Sequence, residues 1–465
     1  MATLLPEGLV YSEDRNIRPY SVPPISEYIP FVGEDQIEEL YSLSKSLNGL
    51  RMLEINSTAY GGGVAEMLYS SVPFLNQLGI RDEWSVMRGT KEFFEITKNI
   101  HNLLQGKGGH LSSEMREMYF SYIQGSANQD IINDRADVVM AHDPQPLGLA
   151  SHFRHQNQKW LWRCHIDIDE DSLRTKPALW EFINFWSKNY DAAIFSAVHY
   201  IVTCCPLPIF VTPPFIDPLS QKNKELSPKE IEKVLDKYDI DQKIPIVLQV
   251  GRFDPWKGIG RTIQAFRMAH SEENDCQLVI AGNTASDDPE GQKVLAVVQE
   301  KVKDDEHIHV LDLSSLPQRE NARVINAIQR ASKVIVQPSL KEGFGLTVTE
   351  AMFKAKPVIV SPVGGIILQV RDGETGFCLE DVPHMAKRLI DLLRNPEEAK
   401  EMGRKGRAYV MEHFLLPTRI GDILKVLNLF MNILGDGKLH SSSIISFHPW
   451  YKLSKRKRYV EERLF

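Results

Sequence analysis

A chain of 465 residues is too long for one compact core, and at roughly 100 to 200 residues per domain it predicts two or three. Its 43% hydrophobic and 25% charged residues are those of an ordinary folded protein, which sets aside the disordered and fibrous classes. A formal charge of -7 and a pI near 6.1 argue against a general nucleic-acid binder, so any anionic ligand has to be met by a local site.

The chain begins MATLLPEGLVYSEDRN, without a basic segment followed by an apolar one. No run approaches the roughly 18 uninterrupted apolar residues of a membrane span. The cysteines, Cys164, Cys204, Cys205, Cys276 and Cys378, are odd in number and lack paired metal-ligand spacing, which supports neither a disulfide framework nor a zinc site. The expectation is a cytoplasmic protein with no integral membrane segment and no metal.

Residues 1–48 carry repeated prolines and a helix-like stretch from Glu34 to Leu47, and read as an N-terminal extension. Over 49–215, short apolar strand candidates (Arg51 to Ile55, Ala136 to Ala141, Trp160 to Cys164, Ala192 to Phe195) alternate with helical patterns, as parallel βαβ units do. The segment Val211-Thr212-Pro213-Pro214-Phe215-Ile216-Asp217-Pro218 is dense in proline, which fixes its own backbone and pushes its predecessor out of helix, so it marks a linker. The alternation restarts over 216–412, with candidates Ile244 to Val250, Gln277 to Ala281, Ile308 to Leu311, Lys333 to Gln337 and Pro357 to Ser361. In 413–435, Ile420, Ile423, Leu424, Leu427, Met431 and Leu434 share one helical face and predict a final helix returning across the domain junction. Residues 436–465 form a tail with the basic cluster Lys455-Arg456-Lys457-Arg458. The fold class is α/β, with two Rossmann-like doubly wound domains facing across a cleft.

Ligands of doubly wound sheets bind beyond the carboxyl ends of the strands, and four motifs follow strand candidates. The first, Asn56-Ser57-Thr58-Ala59-Tyr60-Gly61-Gly62-Gly63, leads into a helix whose amides and dipole favour an anion; a tight strand-to-helix turn is an equal reading. The second, Gly251-Arg252-Phe253-Asp254-Pro255-Trp256-Lys257-Gly258, offers two cations for phosphates, or a solvated turn. The third, Glu342-Gly343-Phe344-Gly345-Leu346-Thr347-Val348-Thr349-Glu350, offers two carboxylates that can accept from sugar hydroxyls. There, Thr347 and Glu350 also have capping-box spacing, and Glu342 beside Lys341 also reads as surface charge. The fourth pairs Ala141-His142-Asp143-Pro144-Gln145-Pro146 with Trp162-Arg163-Cys164-His165-Ile166-Asp167, polar groups over aromatic ones that suit a sugar.

The spacing Glu342-x7-Glu350 resembles that of the GT-B glycosyltransferases of family 4, and the resemblance covers about 50 to 435. Within that family NSTAYGGGVAEML, HDPQPLGL, LWRCHIDI, FIDPLS, GRFDPWKG, DDPEG and EGFGLTVTEAM look like stretches of the trehalose glycosyltransferring synthases. The resemblance implies an N-terminal acceptor domain and a C-terminal nucleotide-sugar domain. It implies that Gly61, Gly62 and Gly63 border the donor diphosphate and that Arg252 and Lys257 bind its phosphates. Glu342, Gly343, Phe344, Gly345, Leu346 and Thr347 would contact the donor glucose and phosphates, and Glu350 the ribose. His165 would stand near the transferred sugar, with His142, Asp143, Arg163 and Asp167 toward the acceptor. His165, Arg252, Lys257 and Glu342 are the catalytic candidates.

The expected activity is retaining glucosyl transfer from a nucleoside diphosphate-glucose to glucose, reversibly giving trehalose. It needs no cofactor or metal, no nucleic acid and no membrane, and a homodimer is the expected assembly if there is one. A trehalose phosphorylase and a nucleotide-sugar 2-epimerase remain open as alternatives, as does a sugar-binding regulator without turnover. The extension before residue 48, Thr203-Cys204-Cys205-Pro206 and the tail after Gly435 stand outside the resemblance.

Overall fold

A computed structural model of the chain describes residues 10–11, 16–18, 21–59, 62–125, 132, 135–169, 171–201, 205–272, 275–284, 289–433 and 444–447. These form two compact units, one running from Phe215 to Leu415 and the other taking in the described residues on either side of it.

The N-terminal unit is built on β1 (Val10–Tyr11), β2 (Asn16–Arg18), β3 (Arg51–Asn56), β4 (Arg81–Val86), β5 (Val138–His142), β6 (Lys159–Cys164), β7 (Ala192–Phe195) and β8 (Ile209–Val211). From β4 to β8 the spatial order is β4-β3-β5-β6-β7-β8, and every pairing is parallel. Apolar runs such as Val138-Val139-Met140-Ala141 suit strands covered on both faces, and all five residues of β5 are buried. The order reverses between β3 and β5: one neighbour of β3 follows it in sequence, while the other arrives after a crossover. Such a reversal leaves a crevice beyond the strand ends.

The C-terminal unit contains β9 (Ile246–Val250), β10 (Gln277–Gly282), β11 (Ile308–Asp312), β12 (Val334–Gln337), β13 (Val358–Val360) and β14 (Phe377–Cys378). All are parallel, in the order β11-β10-β9-β12-β13-β14, so here the reversal falls between β9 and β12. Val247, Leu278, Ile280 and Val336 pack with Ile263, Phe266, Met385 and Leu389 of flanking helices in one core.

The first 48 residues contribute more than an extension. β2 pairs with β4 and β1 with β2, both antiparallel, and the helix Glu34–Ser44 packs on the helix Leu416–Ile433. Asn428 Nδ2 donates to the Leu43 carbonyl at 2.8 Å, and Lys425 pairs with Glu39 at 2.8 Å. The final helix thus belongs to the N-terminal unit, and within the tail β15 (Ile444–Ser446) adds a strand parallel to β8. The cluster Lys455–Arg458 and Gly61 lie outside the described residues. Among the described residues no helix is long and apolar enough to cross a membrane.

Candidate active site

In the C-terminal unit the loops leaving β9 and β12 meet because their strands are neighbours at the reversal. Gly258 makes the approach close: its φ is +64°, and a Cβ there would lie 2.1 Å from the Pro338 carbonyl oxygen. Leu340 N–H donates to the Trp256 carbonyl at 2.7 Å, and Gln249 Nε2 donates to the Lys257 carbonyl at 2.7 Å. This geometry sets Lys257 Nζ 2.5 Å from Glu342 Oε2, with Ser339 Oγ donating to the same oxygen at 3.2 Å. Arg252 stays open: its side chain is 51% exposed, and its Nη2 is 3.5 Å from Asp254 Oδ2. Two cations and one carboxylate therefore stand at the strand ends, and Glu342 is no stray surface charge.

The segment after Glu342 is held from behind. Gly345, at φ +86°, caps the helix Leu346–Phe353, so Thr347 lies inside the helix and the capping-box reading of Thr347 with Glu350 falls away. Buried Gln369 donates to the Phe344 carbonyl and accepts from Thr349 Oγ1 at 2.6 Å. Gly343 is half-buried and Leu346 and Thr347 likewise, at the opening of the helix. Glu350 is only 2% exposed, and Lys222 Nζ lies 3.6 Å from its Oε1. Lys354 Nζ donates to Asn223 Oδ1 at 2.9 Å and to the Glu350 carbonyl at 3.2 Å. Burial pulls the Lys354 ammonium down to about 7, against the attraction of Glu350.

In the N-terminal unit, the reversal gathers Glu54 of β3, His142 at the end of β5 and His165 just past β6. Asp143 has φ 63°, a left-handed turn that aspartate tolerates better than most residues. Its N–H donates to the Arg163 carbonyl at 2.8 Å, and its Oδ1 accepts from the His165 N–H at 2.8 Å. Trp162 Nε1 donates to the Asp143 carbonyl at 3.0 Å. Burial pushes the Asp143 carboxyl up to about 6, opposed by its bond from the His165 amide. Burial also lowers the Arg163 guanidinium, while Glu54, Asp143 and Asp422 favour its charge. Asp167 is buried beside this group in the chain.

His142 is enclosed, 1% exposed, with one ring nitrogen against Glu54 and the other against His165, so it meets a ligand only through His165. His165 is half-buried; burial first, then Arg163 and His142, holds its ring well below the usual range. Gly62 and Gly63 open the helix Gly63–Gln77, and among the described residues nothing lies within 4 Å of a Cβ built at Gly62. That open space suits a ligand near the helix amides. Sequence reasoning missed Glu54, Lys222, Asn223, Lys354 and the ion pair Arg419–Asp422 (2.7 Å, fully buried). Glu54 had a signal, a carboxylate inside the apolar run Leu53-Glu54-Ile55.

Comparison with known proteins adds to this geometry. Residues 54–202 match the model of the trehalose synthase N-terminal domain, and residues 230–409 that of the glycosyl transferases group 1. A trehalose synthase of Thermococcus litoralis is 40% identical over 409 residues, covering 87% of this chain and 97% of the relative. A trehalose phosphorylase of Pleurotus pulmonarius is 26% identical, over 84% of this chain but 59% of its own length. A solved structure of a trehalose-6-phosphate protein from E. coli bound with UDP-2-fluoro glucose shares the fold, with TM-score 0.63 at 12% identity over 83% of this chain and 99% of the other.

Proposed function

Since the chain belongs to the trehalose synthase family of the group 1 glycosyltransferases, we propose that it transfers glucose from a nucleoside diphosphate-glucose to free glucose, with retention and without a metal ion. The observation that carries this reading is the Lys257–Glu342 pair beside exposed Arg252, at the order reversal of the C-terminal unit.

In this reading Arg252 and Lys257 hold the diphosphate and offset the negative charge that grows on it as the C1–O bond breaks. Charges already fixed in place need no rearrangement as the reaction proceeds. Glu342 accepts from hydroxyls of the donor glucose, and Lys257 pins its carboxylate so that it cannot swing away. The segment from Gly343 to Thr347 borders glucose and phosphate, and Glu350 takes the ribose. Gly62 and Gly63 bring backbone amides toward the phosphates. In the N-terminal unit His165 meets the transferred sugar, and Asp143, Arg163 and Asp167 orient the acceptor.

The acceptor hydroxyl attacks C1 from the face the diphosphate leaves. A new C1–O bond to the acceptor forms, the C1–O bond to the diphosphate breaks, and the acceptor proton passes to the departing phosphate oxygen. Glu342 is held by a lysine and Asp143 by a backbone amide, which supports a route without a covalent glucosyl–enzyme.

The test is a panel of nucleoside diphosphate-glucoses with glucose, in excess chelator, with product analysis. Trehalose and a free nucleoside diphosphate are the expected products. Transfer abolished by chelator and restored by a divalent cation refutes metal independence. Trehalose broken down by inorganic phosphate, but by no nucleoside diphosphate, replaces this reading with the phosphorylase one.

A further inference from the structure

Glu54, His142 and His165 form a line inside the N-terminal unit. The Glu54 and His142 side chains are 3% and 1% exposed and are bonded to each other, with the second His142 nitrogen taken by His165. Glu54 Oε2 lies 2.5 Å from His142 Nε2, and His142 Nδ1 lies 3.0 Å from His165 Nε2. The two imidazoles are 6° from parallel with centroids 5.3 Å apart. With only 3.0 Å between the facing nitrogens, those values place the rings edge to edge rather than face to face. At the far end of the line, His165 Nδ1 is buried and has no hydrogen-bond partner among the described residues.

The chemistry of the line fixes its hydrogens. A carboxylate only accepts, so His142 Nε2 carries a hydrogen and, in the neutral ring, His142 Nδ1 is a bare acceptor. His165 must then donate from Nε2, and its Nδ1 is left as a lone pair. An extra proton on His142 would reverse this, turning His165 Nδ1 into a donor. The charges around the line favour the first arrangement. Arg163 sits where Glu54 and Asp143 attract it. Buried Asp82 on β4 is pushed well above the usual carboxylate range by burial and by Glu54.

We propose that Glu54 and His142 are positioning residues that hold His165 in its Nε2–H tautomer, so that His165 Nδ1 takes a hydrogen bond from a sugar hydroxyl during transfer. The proposal rests on the reading of His165 as the residue that meets the sugar. It gives the buried carboxylate a task beyond satisfying a core histidine, since a purely structural pair has no reason to end on an unpartnered nitrogen. A fluorine in place of the recognised hydroxyl keeps the size but donates nothing.

The experiment is the nitrogen spectrum of the full chain labelled with 15N-histidine, with His142→Asn and His165→Asn identifying the two rings. The expected wild-type result is His165 protonated at Nε2 and bare at Nδ1. His165 protonated at Nδ1, or at both nitrogens, overturns the proposal. In a second arm, Glu54→Gln keeps the shape but lets an amide donate to His142. His165 should then populate both tautomers and kcat should fall about 10-fold or more, with Glu54→Asp recovering part of the loss. KM for the nucleotide-glucose should stay within about twofold. An unchanged tautomer and kcat in a folded Glu54→Gln variant overturns the proposal; if the variant does not fold, the wild-type spectrum decides. The spectrum needs no turnover, so failure of the transfer reading shows in the donor panel and failure of the relay in the spectrum.

Discussion

Lys257 and Arg252 share one proposed task but differ in how the fold holds them, and replacing each by alanine separates catalysis from stability. Lys257 Nζ is 2.5 Å from Glu342 Oε2, and the side chains are 17% and 11% exposed. Such a pair lies between an exposed ion pair, worth up to about 1 kcal/mol, and a buried one, whose breakage costs about 3 to 5 kcal/mol. Lys257→Ala should therefore cost about 1 to 2 kcal/mol of stability. Arg252, 51% exposed and 3.5 Å from Asp254, should cost no more than about 0.5 kcal/mol. In the transition state each removes one fixed charge from the departing diphosphate, and kcat should fall about 100- to 1,000-fold, or roughly 3 to 4 kcal/mol. Urea unfolding midpoints read the first quantity, and trehalose formation at saturating nucleotide-glucose reads the second. If Arg252→Ala lost stability but kept its rate, or either variant kept kcat within about threefold, the assignment of these cations to the leaving phosphates would fail.

Two further outcomes follow from residues around the sites. The Asp143 carboxyl, raised to about 6, binds its proton more tightly in the folded chain than in the unfolded one, so its stabilisation is present at low pH and is lost as pH rises through about 6. Asp143→Asn, whose Oδ1 can still accept from the His165 amide, should gain on wild type by up to about 3 kcal/mol between pH 4 and 7. A pH-independent difference in unfolding midpoints would contradict this. Gln369→Leu should cost about 2 to 3 kcal/mol by stranding the Phe344 carbonyl and the Thr349 hydroxyl. It should also raise KM for the nucleotide-glucose; normal values for both would mean that the loop is held by other contacts.

Of the parallel strands, β3, β5, β6, β7 and β9 to β13 were legible because continuous apolar runs such as Ile246-Val247-Leu248 mark segments covered on both faces. The motifs were legible because proline and glycine punctuate the ends of those strands. β1, β2, β8, β14 and β15 were not, because they are two or three residues long and carry no period, and β4, Arg81-Asp82-Glu83-Trp84-Ser85-Val86, has no apolar run to mark it. Glu342 could be found by spacing, but its partner Lys257 is 85 residues away, and only the pairing of β9 with β12 brings them together. The polar side of the final helix escaped for a related reason. Its apolar face was read and Arg419 and Asp422 were passed over, although both are as buried as its leucines.

The N-terminal unit is split in sequence by a continuous neighbour, and that has a consequence for how the chain is made. As the polypeptide leaves the ribosome, Phe215–Leu415 can finish its sheet before the unit that started first has received its last helix. Until Leu416–Ile433 emerges, the helix Glu34–Ser44 lacks the face it packs on, and Arg163 lacks one of its attracting carboxylates, Asp422. A product truncated at residue 415 would carry Arg252, Lys257, Glu342 and Glu350 in a finished unit and an N-terminal unit without its last helix. Completing the synthesis of the chain thus becomes the step that closes the unit begun first.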